Sequence, residues 1–293
     1  MSLAAEYKLN CFGPFQQLTP RYDPDLQCLW YDMHASPRPC FTPTLLAEIA
    51  DFQEQVGFAV RRKELAVSYL VLSSDVPGVF NLGGDLNLFS QHIENHDRQG
   101  LLAYAKGCID VLYLNSAHLH LPLTTISLVQ GSALGGGFEA ALSSSVLVAE
   151  KGTELGLPEI LFNLFPGMGA YSLLSRKLDF RRAEELITAG RLFSAEELHE
   201  LGVVDVLAEP GEGVQAVHSY IRRHRRASNG LQAIRRVREY LNPLTYDELM
   251  DVAEIWVDAA LNLTSRDLRM MGKLVGAQNR LKPAKDSPAL ALV

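Results

Sequence analysis

The segment GSALGGGFEAALS, residues 131–143, constrains this chain more than any other feature. It follows directly on TTISLVQ, a short apolar run of strand character, and leads into a helical run. Three consecutive glycines, Gly135, Gly136 and Gly137, leave the backbone bare where it enters that helix, so its amides can approach a ligand closely. The first amides of a helix have no partner inside the helix and are free to donate to an external oxygen. The segment therefore predicts a strand, a loop and a helix start arranged to hold an oxygen atom.

A nucleotide-binding reading competes for the same residues. Gly135, Gly137 and Ala140 satisfy the G-x-G-x-x-A dinucleotide pattern, and Glu150 ends the following strand. However, only about seven residues separate Gly137 from the next strand at 145, too few for a βαβ crossover helix. The glycines also begin beyond the strand end instead of forming an immediate turn. A Walker loop is excluded because no Gly-Lys-Ser/Thr is present.

A second glycine turn lies in VFNLGGDLNLF, residues 79–89, again after a strand, with Asp85 placed to cap the helix that follows. Two such loops can each supply one amide to a shared oxygen. Two acids stand nearby in sequence. Glu139 follows Gly136 by three residues, which puts it on the same helix face as that amide. Glu159 follows Pro158 and is expected in a first helical turn. Taken singly, each acid is explained by the helix macrodipole, which favours carboxylates in first turns. Taken with both glycine loops, they form an acid/base pair: two carboxyls in one dry pocket do not readily both ionise, so one keeps its proton near neutrality. Sequence leaves open which one.

Around these motifs, LAVSYLVLSS (65–74), TTISLVQG (124–131) and SVLVAE (145–150) read as buried strands, and residues 42–63 and 98–117 have helical periodicity. Alternation of this kind predicts an α/β architecture with crossovers. Further on, Ser194 and Glu197 form a capping box, Gly202 stops the helix, and VVDVL (203–207) reads as a short strand. From about 214 the pattern is nearly all helix, ending in two long apolar-faced helices suited to packing on a neighbouring subunit. KPAKDSPALALV reads as a frayed tail.

The 293-residue chain, 47% hydrophobic and 21% charged, is of ordinary globular composition. Its net charge of -7 argues against a nucleic-acid partner. Arg222, Arg223, Arg225, Arg226, Arg235, Arg236 and Arg238 concentrate positive charge locally, either as a solvated helix face or as a dock for the phosphates of coenzyme A or an acidic carrier protein. No leader-like segment and no apolar run of about 18 residues is seen, so a soluble cytoplasmic protein without membrane insertion is expected. Cys11, Cys28, Cys40 and Cys108 are widely spaced and read as reduced and structural. His118 and His120 have strand-like spacing that suits a metal but lack a third ligand, so no metal site is expected.

The combination of F-x-x-G-G-D-L (residues 80–86), G-x-A-L-G-G-G-x-E (131–139) and G-L-P-E (156–159) resembles the crotonase, or enoyl-CoA hydratase/isomerase, superfamily, over roughly residues 20–281. That resemblance implies a crotonase spiral of repeated ββα units with a C-terminal α-helical region, an oxyanion hole made by the Gly84 and Gly136 amides, and catalytic carboxylates at Glu139 and Glu159. VFNLGGDLNLF, FPGMGAYS (165–172) and EIWVDAALNL narrow it to the diffusible-signal-factor synthases, the RpfF-like branch. Membership of that branch implies dehydration of a 3-hydroxyacyl chain on acyl carrier protein, hydrolytic release of a cis-2-unsaturated acid, restraint by a sensor histidine kinase, and a homotrimer or hexamer. No cofactor is implied beyond the carrier or coenzyme A that bears the acyl group. Leu134, Met168, Trp256 and Leu274 are the implied acyl-pocket residues.

On the same basis residues 1–213 form the core domain with an N-terminal extension, 214–281 a helical region for oligomerisation and for closing the acyl pocket, and 282–293 a disordered tail. The alternatives are an ordinary enoyl-CoA hydratase of fatty-acid metabolism and, from another class, a regulatory protein that docks a sensor kinase.

Overall fold

The computed structural model describes residues 12–280, and the side chains of 274–280 lie outside that description, as do Cys11 and the 282–293 tail. Two sheets organise it. In the larger, β1 (Leu18–Asp23) pairs antiparallel with β2 (Cys28–Met33). Following α1 (Pro43–Arg61), β3 (Tyr69–Ser74) lies parallel to β2. The chain continues through β4 (Val79–Asn81), α2 (Leu86–Glu94), α3 (Arg98–Ser116), β5 (Thr124–Val129), β6 (Ser132–Leu134), α4 (Gly136–Leu142), β7 (Val146–Glu150) and β8 (Glu154–Gly156). Then come α5 (Ala170–Lys177), α6 (Phe180–Ala189), β9 (Leu192–Ser194), α7 (Ala195–Glu200), β10 (Val206–Ala208), α8 (Gly213–His224), α9 (Ser228–Leu241), α10 (Tyr246–Leu261) and α11 (Ser265–Arg280).

The larger sheet has the order β1-β2-β3-β5-β7-β10 and the smaller β4-β6-β8-β9, with β8 and β9 antiparallel. The pairs β3/β4, β5/β6 and β7/β8 repeat one device. The first strand enters the large sheet, the second crosses to the small one, and a helical turn or helix follows. Both glycine motifs fall where a strand of the small sheet ends and a helix begins.

Strands β2, β3, β5 and β7 are mostly apolar and almost wholly buried because both faces of the sheet are covered. On one side α8 lays Val217 and Ile221 against Trp30, Val71, Ile126 and Val148. On the other lies the main core, to which α1, α3, α4 and α10 contribute. Helix α10 starts at a Thr245 cap and buries Leu249, Ala253, Trp256, Val257 and Ala260, a single stripe at helical spacing. Arg176 of α5 grips Glu248 of α10 through two hydrogen bonds of 2.8 and 2.7 Å. Helix α9 differs: none of its residues is buried, and Ile234, Val237, Tyr240 and Leu241 face outward.

The expected helix starts are present. Asp85 accepts from Asn87 and Leu88, and Ser194 with Glu197 forms the capping box. Three details differ from the sequence reading. The strand expected from 65 begins at Tyr69, because residues 62–68 form the turn that closes α1. In VVDVL only Val206 and Leu207 belong to a strand; the Val203 and Val204 amides instead donate to the Leu198 carbonyl to finish α7. His118 and His120 sit in a short 3-10 turn at positive φ, not on a strand. His118 packs on Thr125 and Ser145, and burial pushes its pKa down to about 3.

Candidate active site

The GGG segment forms the expected junction. Strand β6 ends at Leu134, Gly135 takes φ 51° and ψ -124°, and α4 begins at Gly136. A side chain at Gly135 would be strained at that φ and would overlap the Glu159 carboxylate, so glycine is required twice over. The second loop meets the first directly: the Gly84 nitrogen lies against the α-carbon side of Gly136. Among the described residues neither the Gly84 nor the Gly136 amide is paired with a protein acceptor. The two amides are thus adjacent and unspent.

The Gly83-Gly84 loop is held from behind by the segment before α1. The Phe41 amide donates to the Gly83 carbonyl at 2.8 Å, and the Leu82 amide to the Pro39 carbonyl at 2.8 Å. Arg38 pairs with the capping Asp85 at 2.6 Å, both side chains mostly buried. The Tyr104 hydroxyl donates to the Phe41 carbonyl and accepts from the Asp85 amide. The sequence pointed to none of these props except Asp85.

Glu139 projects from the first turn of α4 and is 1% exposed. Its Oε1 accepts from the Met168 amide at 2.8 Å and the Ala170 amide at 2.9 Å. Burial raises its proton affinity, and these two amides pull it back down. Glu159 opens a 3-10 turn after Pro158, which acts as its cap and not as the first helical residue. The residue is partly exposed, yet its Oε2 is buried without a donor among the described residues. Burial raises its pKa first, and the neighbouring Glu139 charge raises it further.

These groups share the wall of one cavity of about 150 Å³. Gly84, Gly136, Glu139 and Glu159 lie on it together with Leu134, Met168 and Trp256. Leu274 is in α11, and its side chain lies outside the described residues. Gly167 presses its bare face on the Trp256 ring, where any side chain would overlap, and so seats the FPGMG segment against α10.

Sequence reasoning missed Tyr31, Gln53, Asn115 and Ser143, which also line the cavity. They come from four distant elements and carry no local motif. Cys108 lines it too, but burial pushes its thiol up to about 12, which keeps it un-ionised and unreactive. Cys28, Cys40 and Cys108 are all buried, and no disulfide joins them among the described residues.

Of the seven arginines, Arg235 is half-buried and donates to the Leu123 carbonyl and Thr124, tethering α9, while Arg225 donates to the Asp25 carbonyl. The other five are exposed. Among the described residues no group of three or more His, Cys, Asp or Glu is placed to hold a metal ion, and no helix is long and apolar enough to cross a membrane.

The model of one family, enoyl-CoA hydratase/isomerase, matches residues 38–274, which contain both glycine loops and both carboxylates. The chain belongs to that family. Its fold is accordingly the α/β crotonase fold, with two mixed sheets and a C-terminal helical region.

Among curated proteins it is 29% identical over 164 residues to the peroxisomal fatty acid beta-oxidation multifunctional protein AIM1 of Arabidopsis thaliana, covering 56% of this chain and 22% of that one. To the mitochondrial methylglutaconyl-CoA hydratase of Mus musculus it is 29% identical over 155 residues, covering 52% and 46%. The chain thus spans less than half the length of these relatives.

Solved structures similar in fold include Pseudomonas aeruginosa DspI, with TM-score 0.69, 20% identity and coverage of 86% of this chain and 98% of that one. Human mitochondrial delta3-delta2-enoyl-CoA isomerase aligns with TM-score 0.74, 17% identity and coverage of 91% and 100%.

Proposed function

We propose that the cavity binds a 3-hydroxyacyl thioester and removes water from it, and that the acid is then released by hydrolysis, giving a cis-2-unsaturated fatty-acid signal. The observation that carries the first step is the meeting of two unpaired amides, Gly84 and Gly136, with two carboxyls, the buried Glu139 and the partly buried Glu159, on the wall of one cavity.

In this reading the thioester oxygen accepts from both amides, which stabilise the charge that builds as the C2 proton leaves. Losing one such donor typically costs about 10²- to 10³-fold in rate. Glu139, with two amides on Oε1, is the better anion and takes the C2 proton. Glu159, whose Oε2 meets no donor, keeps its proton and gives it to the departing 3-hydroxyl, so that the C3–O bond breaks and water leaves. For release, a glutamate carboxylate takes a proton from water as the water oxygen adds to the thioester carbonyl, and the same two amides stabilise the tetrahedral oxyanion. The carbon–sulfur bond then breaks and the glutamate returns the proton to the departing thiol.

The branch motifs, FPGMGAYS above all, support the signal-synthase assignment, and that segment supplies the amides that hold Glu139. The exposed arginines of α8 and α9 suit an acidic carrier protein, and the outward apolar residues of α9 suit assembly into a trimer or hexamer.

The test is to incubate purified protein with 3-hydroxyacyl carrier protein and, in parallel, 3-hydroxyacyl-CoA, and to identify the products and their double-bond geometry by mass spectrometry and NMR. Free cis-2-enoic acid, lost in Glu139→Ala and Glu159→Ala, is the expected result. Unchanged product in either variant sinks the assignment. The match to methylglutaconyl-CoA hydratase supports a second reading, reversible hydration of a trans-2-enoyl-CoA without acid release, and the same assay would reveal it.

A further inference from the structure

The cavity wall changes character along its length. Near Gly84 and Gly136 it carries the groups described above. Along α3 it runs from Cys108, close enough to Glu139 to feel its charge, through Val111 to Asn115, about 10 Å of helix rise. At that end the wall carries a cluster of four polar side chains, all of them buried. Tyr31 is 1% exposed, Gln53 2%, Asn115 3% and Ser143 4%.

Most of these groups satisfy one another. The Tyr31 hydroxyl donates to Asn115 Oδ1 at 3.1 Å, and Asn115 Nδ2 donates to the Ser143 hydroxyl at 2.8 Å. Ser143 passes its own proton to the Ala140 carbonyl at 2.7 Å. Gln53 Nε2 donates to the Val111 carbonyl at 3.0 Å, which fixes the orientation of the amide, since the reverse orientation would set two oxygens face to face. Gln53 Oε1 is then left buried with no donor among the described residues. Buried acceptors are nearly always paired, and the neighbouring donors are already committed elsewhere.

We infer that Gln53 is a specificity-determining residue that accepts a hydrogen bond from a hydroxyl on the acyl chain, carried beyond the carbons that react. This rests on the thioester reading above and names the class of chain it would take: a hydroxylated acyl group in place of a plain alkyl one. Of this cluster only Gln53 Oε1 lacks a partner, whereas an ordered buried water usually keeps two to four polar partners. A hydroxyl fixed to the chain needs only the one bond.

The probes are dodecanoyl-CoA and its positional hydroxydodecanoyl-CoA isomers, none hydroxylated at C3, together with the corresponding free acids. Affinities are measured by calorimetry on the wild type and on Gln53→Met. At least one isomer should bind the wild type tenfold or more tighter than the plain chain. In Gln53→Met the ratio of hydroxylated to plain-chain affinity should fall to about one. The wild-type comparison stands without the variant if the latter fails to fold.

Equal affinity across the isomers, lack of binding by all of them, or an undiminished preference in Gln53→Met overturns the inference. So does a crystal structure of the plain-chain complex with an ordered water on Gln53 Oε1. The free acids present the same chains without a thioester, so a failure of the thioester reading silences only the coenzyme A series and is told apart from a failure at Gln53.

Discussion

Two places in this molecule present a carboxyl to the same cavity, and they hold it in opposite ways. The first turn of α4 fixes Glu139 with two backbone amides from a segment some thirty residues away. The 3-10 turn after Pro158 leaves Glu159 Oε2 without a donor among the described residues, and the bare Gly135 makes room for Oε1. Burial alone would make both groups hold their protons. The amides favour the anion at Glu139, so in the proposed reaction geometry and not residue type separates base from acid.

The largest expected effect breaks the comparison outright. Glu139→Gln keeps an acceptor for Met168 and Ala170, so the fold should survive while dehydration falls by roughly 10²- to 10⁴-fold. Glu159→Gln should fall within the same range. Single-turnover kinetics on a 3-hydroxyacyl thioester would check both, and retention of more than a tenth of the activity would exclude an acid/base role.

Stability should then tell the two apart. Glu139→Ala orphans two buried amides at a cost on the order of 1–3 kcal/mol each, whereas Glu159→Ala removes a group with an unpaired oxygen and should cost clearly less. Denaturant titration of the pair tests this, and equal losses would contradict it. Gly135→Ala should be intermediate, roughly 1–3 kcal/mol from the strained φ, with kcat falling more than thioester affinity because the overlap is with the acid.

The smallest effect is in pH. The folded state holds the Glu159 proton more tightly than the unfolded chain does. The stability this contributes is therefore complete below the ordinary carboxylate range and is lost as pH rises through the raised value. Glu159→Gln cannot ionise, so its melting temperature should gain on the wild type's as pH climbs and match it most closely in acid. A constant difference across pH would show that Glu159 titrates normally. The rate itself should follow a bell, with both limbs belonging to the pair.

Much of this was legible in the sequence because it is local. Three glycines at a helix start, Asp85 as a cap, and the Ser194 and Glu197 box each announce their geometry within a few residues. Strands β3, β5 and β7 of the large sheet are legible because burial on both faces leaves mostly apolar side chains, whereas β1 and β2 carry no such signal in the sequence reading. What escaped is non-local. The amides on Glu139 belong to Met168 and Ala170, and a backbone amide has no signature in sequence. Arg38 and Tyr104 prop the glycine loop from two other elements. Gln53 and Asn115 look like ordinary polar residues on helices, and only the packing of α1, α3 and α4 turns them into a cavity wall. His118 and His120 were misjudged because two residues of separation fit a strand and a tight turn equally well.

The contact between Gly167 and Trp256 has a consequence for acidity. Met168, which supplies one of the amides on Glu139, is the next residue along, and Trp256 belongs to α10. Any partner, subunit or substrate that lifts α10 away would loosen those amides and leave Glu139 holding its proton more tightly. The proton inventory of the cavity thus doubles as a gauge of how firmly the C-terminal layer is seated, so the proton affinity of Glu139 is set partly from the outer surface.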